Sequence, residues 1–443
     1  MNRRSCRALL SRVILPMAIA TVAACTANPR VDSAPPSPAT VFEPQLIAKG
    51  ARLAAVGNCV GCHTAPRGKP YAGGRALDTP FGTIYGTNIT PDVDTGIGQW
   101  SEAAFKRAMR EGVDRAGNNL YPAFPYDHFR HVVDSDIDAL YAFLMTREPV
   151  SARPPPNRLR FPFNVRPLIS VWKSLYLDES PVPGEPGHGT EWNRGAYLVA
   201  GLGHCGACHT ARNALGAEWR DVSLAGGDAD GWHAPALNHS SPAPVPWSTD
   251  TLYTYLRGGL SDRHDVPAGP MASVVHELSG ASDVDVRAMA VYIASLSGAA
   301  TSTLPPSTGQ SDATSEGSSS TITAASAGDG SATSIANSGA AIYFGACADC
   351  HDAGRNTHAR GALELEYSTA IAIATPQNLI RIVLTGIAPP NGERGPWMPS
   401  FAGALTDAQL TELAIYLRER FSGRPPWRDI DRDVQQAKSA KTD

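Results

Sequence analysis

Hydrophobic residues fall at helical spacing in three separate stretches of this chain, and each stretch follows one plan. In the first, Leu46, Ile47, Leu53 and Val56 share one face of a helix predicted over Gln45–Gly57. A second helix is predicted over Ser101–Gly112, with Ser101 as its N-cap. A third covers Asp136–Met145, with Ile137, Leu140, Tyr141 and Leu144 on one face and Asp134 or Ser135 as cap. Between the first two, Gly73-Gly74 and the run to Asp94 are turn-rich and read as loop. The plan recurs with a helix over Thr249–Gly258 and a Ser282-capped helix holding Val286, Met289, Val291, Tyr292 and Leu296. It recurs again with a helix over Asn378–Gly386 and one opened by the capping box Thr406-Asp407-Ala408-Gln409. The first helix of each set carries a glycine, Gly50, Gly195 or Gly339, and glycine there lets the last helix cross close to the first.

Eight to ten residues after each glycine the same five-residue pattern appears: Cys59 to His63 (CVGCH), Cys205 to His209 (CGACH) and Cys347 to His351 (CADCH). Two thiols three positions apart, followed at once by histidine, are what a c-type haem needs. Cys59/Cys62, Cys205/Cys208 and Cys347/Cys350 would each add across the haem vinyl groups, with His63, His209 and His351 as proximal ligands. Structural zinc wants a second pair of ligands near each C-x-x-C, and none is there. A thioredoxin-like motif wants a βαβ pattern, and none is visible. Three motifs at domain-sized spacing make a repeat and predict three covalently bound haem c groups.

The motifs use six of the eight cysteines, and the other two are Cys6 and Cys25. Arg3, Arg4, Arg7 and Arg12 precede a short apolar run, Val13 to Ala24, so residues 1–24 read as an export signal. The run ends in Val22-Ala23-Ala24-Cys25, which resembles a bacterial lipobox and implies cleavage before Cys25 and lipid attachment to it. The expected location is the periplasmic face of a bacterial membrane. No other stretch is long and apolar enough to span one. The formal charge of −4 argues against nucleic acid as a partner.

These readings give an all-α chain of three tandem class I-type cytochrome c domains. Residues 25–42 are a Pro/Ser/Ala-rich tether, and 43–150 form the first domain. Residues 151–187 are a Pro-rich connector, too apolar to hang free, that should pack across the first two domains. The second domain covers 188–298. Residues 299–336 form a Ser/Thr/Ala/Gly-rich flexible linker, from which the third domain should move independently. That domain covers 337–421, and 422–443 are a polar tail.

The chain also resembles the triheme cytochrome c subunits of membrane-bound bacterial alcohol, aldehyde and gluconate dehydrogenases. The stretches that carry the likeness include Thr79-Pro80-Phe81-Gly82, Thr87-Asn88-Ile89-Thr90-Pro91, Trp100-Ser101-Glu102, Arg110-Glu111-Gly112-Val113-Asp114 and Gly201-Leu202-Gly203-His204. The resemblance implies electron relay from a separate periplasmic catalytic subunit to a respiratory acceptor: quinone, oxidase or another cytochrome. It also implies methionine as distal haem ligand, Met271 for the second haem and Met398 for the third, each expected in a loop before the closing helix. Met289, Met109 and Met145 read as packing residues. Family members are commonly held to the membrane without a lipobox, so Cys25 is a departure. Another departure is Tyr121-Pro122-Ala123-Phe124-Pro125-Tyr126, where the family has methionine in place of Phe124. The first iron then stays open or takes another ligand, with His128 as the candidate.

Two other functions are compatible with the residues. One is a haem enzyme, or a gas- or peroxide-binding protein, that uses an open first haem with His128 or His131 as acid–base group. The other is a free-standing redox wire at the cell surface. The chain has no Rossmann glycine motif and no recognisable flavin or molybdenum site, so substrate oxidation is expected on a separate chain.

Overall fold

A computed structural model describes residues 30, 41–177, 184–261, 263–298, 330–352, 363–389 and 396–439. The predicted export signal, Cys25, nearly all of the expected tether and most of the expected 299–336 linker lie outside the described residues. The rest is mostly helical, with a few short strands. It divides into two compact units rather than three: residues 1–231 with 273–292, and residues 232–272 with 293–443. The division runs through the second repeat.

In the first unit, α1 (Pro44–Val56) leads into α2 (Cys59–His63), which is the haem motif itself. The next two helices are α3 (Glu102–Glu111) and α4 (Tyr126–Phe129), and α5 (Asp134–Met145) closes the repeat. Ser101 caps α3 by accepting from the Ala104 N–H. The cap of α5 differs from expectation: Val133 holds the N-cap position, and Asp134 and Asp136 lie in the first turn, where acids favour the helix N-terminus. Leu53, Phe105, Met109, Ile137, Leu140, Tyr141 and Leu144 are buried, so the predicted apolar faces form the core.

The Gly73 to Asp94 stretch is not all loop. Strands β1 (Ala76–Thr79) and β2 (Gly82–Tyr85) pair antiparallel, and β3 (Arg158–Leu159) from the Pro-rich connector adds to β2. The β-branched and aromatic run Thr83-Ile84-Tyr85 suits a pleated edge. Past β3, helix α6 (Leu168–Tyr176) reaches two partners. Its Lys173 ammonium donates to the carbonyls of Glu111 and Gly112, at the C-terminal end of α3, at 2.5 and 2.8 Å. The Trp172 indole N–H donates to the Leu215 carbonyl in the second repeat at 3.0 Å.

The second repeat opens with α7 (Thr190–Ala200) and α8 (Gly206–His209). It continues through α9 (Thr249–Gly258), α10 (Pro270–Leu278) and α11 (Asp283–Leu296). Ser282 caps α11 by accepting from Asp285 N–H at 3.2 Å. Met271 stands in the first turn of α10 and not in a loop. Gly269, at φ +55°, turns the chain, and Pro270 then supplies the fixed φ suited to a first helical position.

The second unit contains α12 (Gly330–Ala346), which begins inside the stretch expected to be linker. After it come α13 (Ala348–His351), α14 (Thr369–Ala372), α15 (Gln377–Thr385) and α16 (Asp407–Ser422). The capping box at Thr406 and Gln409 is formed. Residues 232–272 of the second repeat belong to this unit. Residues 427–439 are not a free tail. Helix α17 (Ile430–Ser439) packs into the core through Ile430 and Val434, with Trp427 buried beside them.

Each repeat closes its helix crossing on the predicted glycine. A Cβ on Gly50 would lie 1.9 Å from the Ala139 carbonyl oxygen, and on Gly195 2.0 Å from that of Ala288. On Gly339 it would lie 2.3 Å from the carbonyl oxygen of Glu412.

Candidate haem-binding sites

In the first motif, burial pushes the Cys59 thiol up to about 12, and the neighbouring Cys62 adds to the shift. Cys205 follows the same pattern to about 12, and Cys347 to about 11. A redox-active C-x-x-C lowers a thiol's pKa to expose thiolate. These thiols lie in apolar surroundings that suppress thiolate, which argues against disulfide-exchange chemistry and suits attachment to an apolar macrocycle. None of the six is in a disulfide.

Two of the motif histidines are held in a fixed orientation. His63 Nδ1 lies 2.6 Å from the Thr87 carbonyl oxygen, and His351 Nδ1 lies 2.9 Å from that of Leu363. A carbonyl only accepts, so Nδ1 carries the proton and Nε2 keeps its lone pair, the tautomer a metal-binding histidine needs. Burial lowers the His63 pKa, with the Thr87 contact opposing it, so the ring is held neutral. Behind the first two motifs the backbone is fastened in the same way. Gly73 N–H donates to the His63 carbonyl at 2.7 Å, and Gly226 N–H to the His209 carbonyl at 2.8 Å.

The third motif opens on an apolar cavity. Cys347, Cys350 and His351 line it together with Met398, Leu379, Val383 and Leu413. Met398 is held in an extended bridge with Ile387. Thiols, imidazole, thioether and apolar wall are the donor set and surroundings of a c-type haem, so the residues fit that group.

The first repeat's distal stretch holds a different arrangement. The Phe124 ring sits 5.3 Å from Phe129, and Phe129 sits 5.5 Å from His204, the residue before Cys205. His128 Nδ1 lies 2.8 Å from the Ala200 carbonyl oxygen, and its Nε2 lies 2.9 Å from Glu218 Oε1. Burial alone would lower the His128 pKa. The Glu218 hydrogen bond and charge, with Asp127 and the Ala200 carbonyl, outweigh that and push it up to about 9. His128 is therefore an imidazolium with both N–H groups engaged, which leaves no lone pair for the ligand role considered from sequence. Asp127, His128 and Glu218 bring possible ligand atoms within 4.8 Å of one another. The His128 charge and Arg212, 3.4 Å from Glu218, already offset the acids, so the group is an ion-pair cluster.

The first two motifs are near enough that Cys62 raises the pKa of the Cys208 thiol, although burial contributes most. Sequence reasoning missed Glu218 and its neighbour Arg212, since nothing local marks a carboxylate whose partner lies 90 residues away.

The sequence comparisons agree with this chemistry. A family profile described as cytochrome c matches residues 47–148. Another, described as cytochrome c oxidase, cbb3-type, subunit III, matches residues 335–417. The chain is 35% identical over 419 residues to the fructose dehydrogenase cytochrome subunit of Gluconobacter japonicus, covering 89% of this chain and 83% of that one. The chain belongs to the cytochrome c subunits of bacterial dehydrogenases. A second member of this family, the gluconate 2-dehydrogenase cytochrome c subunit of Pantoea cypripedii, is 37% identical, with 84% of this chain and 85% of that one covered. A nicotinate dehydrogenase subunit of Pseudomonas putida is 43% identical over 93% of this chain, which spans only 33% of that longer relative. The family's cytochrome c domains imply covalent haem c, consistent with the thiol pairs and the oriented imidazoles.

Proposed function

We propose that this chain is a triheme electron-transfer subunit. It would pass electrons from a periplasmic dehydrogenase catalytic subunit to a respiratory acceptor. The observation that carries the reading is the threefold motif, with the His63 and His351 rings fixed through Nδ1. Bound haem supplies one-electron cycling of iron. The chain's part is to hold each group, present Nε2, exclude water with apolar walls and keep neighbouring sites close. Met271 and Met398 are the proposed distal ligands of the second and third haems. Phe124 and the engaged His128 favour an open first iron, which keeps ligand binding there as a second reading.

Purified full-length protein should contain three haems per chain by pyridine haemochrome assay, and the Cys59→Ala, Cys62→Ala variant two. Carbon monoxide added to the reduced wild-type protein should shift one haem's Soret band, and that response should vanish in the same variant. Fewer than three haems in the wild type contradicts the triheme reading. A spectrum unmoved by carbon monoxide contradicts the open first site.

We also propose attachment to the periplasmic face of a membrane through lipidated Cys25. An exported Cys25→Ser variant should then fractionate as soluble protein, because the acyl chain supplies the anchoring free energy. Continued membrane association without any partner subunit would refute this.

A further inference from the structure

One wall of the third motif's cavity does not come from the third repeat. Asp265 and Val266, from the second repeat, line it with Cys347, Cys350, His351 and Met398. The Ala370 backbone N–H donates to Asp265 Oδ2 at 3.1 Å, and Ser368 and Thr369 also donate to this carboxyl. The segment is fastened a second time where His233 N–H donates to Asn378 Oδ1 at 2.9 Å and Asn378 Nδ2 donates back to the His233 carbonyl at 2.8 Å. Asp265 therefore has a fixed place in the cavity wall.

Among the described residues, the groups around it do little to neutralise it. Among the described residues lining the cavity there is no lysine or arginine. Tyr255, on α9, is pushed above its ordinary pKa by burial and then by the Asp265 charge, so it stays a neutral phenol. Neighbouring His264 is stacked on Trp247, and burial lowers its pKa and keeps it uncharged. Arg263 lies over the Tyr367 ring. From the motif, Cys347, Cys350 and His351 face the same cavity. Burial pushes the carboxyl itself up to about 6, against the pull of its hydrogen-bond donors.

We propose that Asp265 sets the reduction potential of a haem held by Cys347, Cys350 and His351. A carboxylate in an apolar wall favours the more positively charged ferric state, because charge interactions there are weakly screened. The proposal rests on the haem-bearing reading of the third motif, which haem content tests separately.

The experiment is a spectroelectrochemical titration of the full chain at about pH 8, where the wild-type carboxyl is ionised. The third haem's step is the one missing from a Cys347→Ala, Cys350→Ala variant. In Asp265→Asn, which keeps an acceptor oxygen and loses the charge, that step should move positive. The ferrous-to-ferric ratio at fixed potential should rise about tenfold, or ~59 mV for a one-electron couple. Asp265→Glu should restore the wild-type value. The difference between wild type and Asp265→Asn should shrink at about pH 5, where the wild-type carboxyl is itself protonated. A step that stays in place at about pH 8, or three steps that move together, overturns the proposal. So does a loss of haem from Asp265→Asn, which would mean a purely structural role. If the double cysteine variant retains three haems, the haem-bearing reading fails and takes the proposal with it.

Discussion

Gly50→Ala, Gly195→Ala and Gly339→Ala should each disrupt the repeat that contains them. The added Cβ would meet a backbone carbonyl oxygen at 1.9, 2.0 or 2.3 Å, well inside contact distance. A flexible side chain could turn away, but a carbonyl in the facing helix cannot move without opening the crossing. Overpacked cores lose ~1–3 kcal/mol and occasionally more. These positions belong at the top of that range, against a gain of ~1 kcal/mol in helix propensity. The crossing also holds the haem motif in place, so haem content should fall along with the melting temperature. Gly258→Ala and Gly345→Ala provide the control. Both glycines are helical, with nothing within 4 Å of an added Cβ, so the same change there should be neutral or stabilising. Equal melting temperatures for the two sets of variants would show that the close crossing is not what these glycines serve.

The second large effect should come from His128→Ala. Its partner, Glu218, has a side chain only 15% exposed, and His128 is 13% exposed. Removing one member of such a pair strands the other charge, which costs ~3–5 kcal/mol in buried examples. Arg212 stays beside Glu218 and softens the loss. Adding Glu218→Gln to His128→Ala should recover part of the stability, because the stranded charge is then gone. If the double variant is less stable than His128→Ala alone, the charge-stranding account is wrong.

The pair also predicts a pH dependence. The His128 pKa is raised from 6.5 to about 9, so its contribution is complete below 6.5 and is lost as pH rises through about 9. Burial opposes ionisation of Glu218, but the His128 hydrogen bond and charge hold its pKa below the ordinary 4.5. That contribution is complete above 4.5 and is lost as pH falls through the depressed value. The stability difference between wild type and His128→Ala should therefore be greatest between about 4.5 and 6.5 and shrink on the alkaline side. A difference that is flat through about pH 10 would contradict the raised histidine.

Local features of the chain were the readable ones. The three glycines stand in register with three cysteines, and their purpose follows from helix geometry alone. The Ser101, Ser282 and Thr406 caps lie beside the helices they start. The Asp265 carboxyl and the Glu218 ion pair depend on pairings between distant segments, and no periodicity reports those. His128 was visible as a candidate ligand because it is four residues past Phe124, but its actual partners come from the second repeat. The last segment reads as a tail for another reason. Arg424, Pro425 and Pro426 break the pattern, and charges crowd the residues beyond them. Yet Trp427, Ile430, Val434 and Ala437 recur at helical spacing, so the chain does carry a signal for the closing helix.

This closing segment supplies more than hydrophobic filling. The Arg418 guanidinium donates to the carbonyls of Ile371 and Ile373, Arg424 donates to that of Ala372, and the Trp427 indole N–H donates to that of Ile373 at 3.0 Å. The carbonyls at the end of α14 are thus satisfied by residues near the end of the chain. Helix α14 therefore depends on side chains some fifty positions further along: without Arg424 and Trp427 the carbonyl of buried Ala372 would lose its side-chain donor and that of Ile373 one of its two, and a buried carbonyl left unpaired costs ~1–3 kcal/mol.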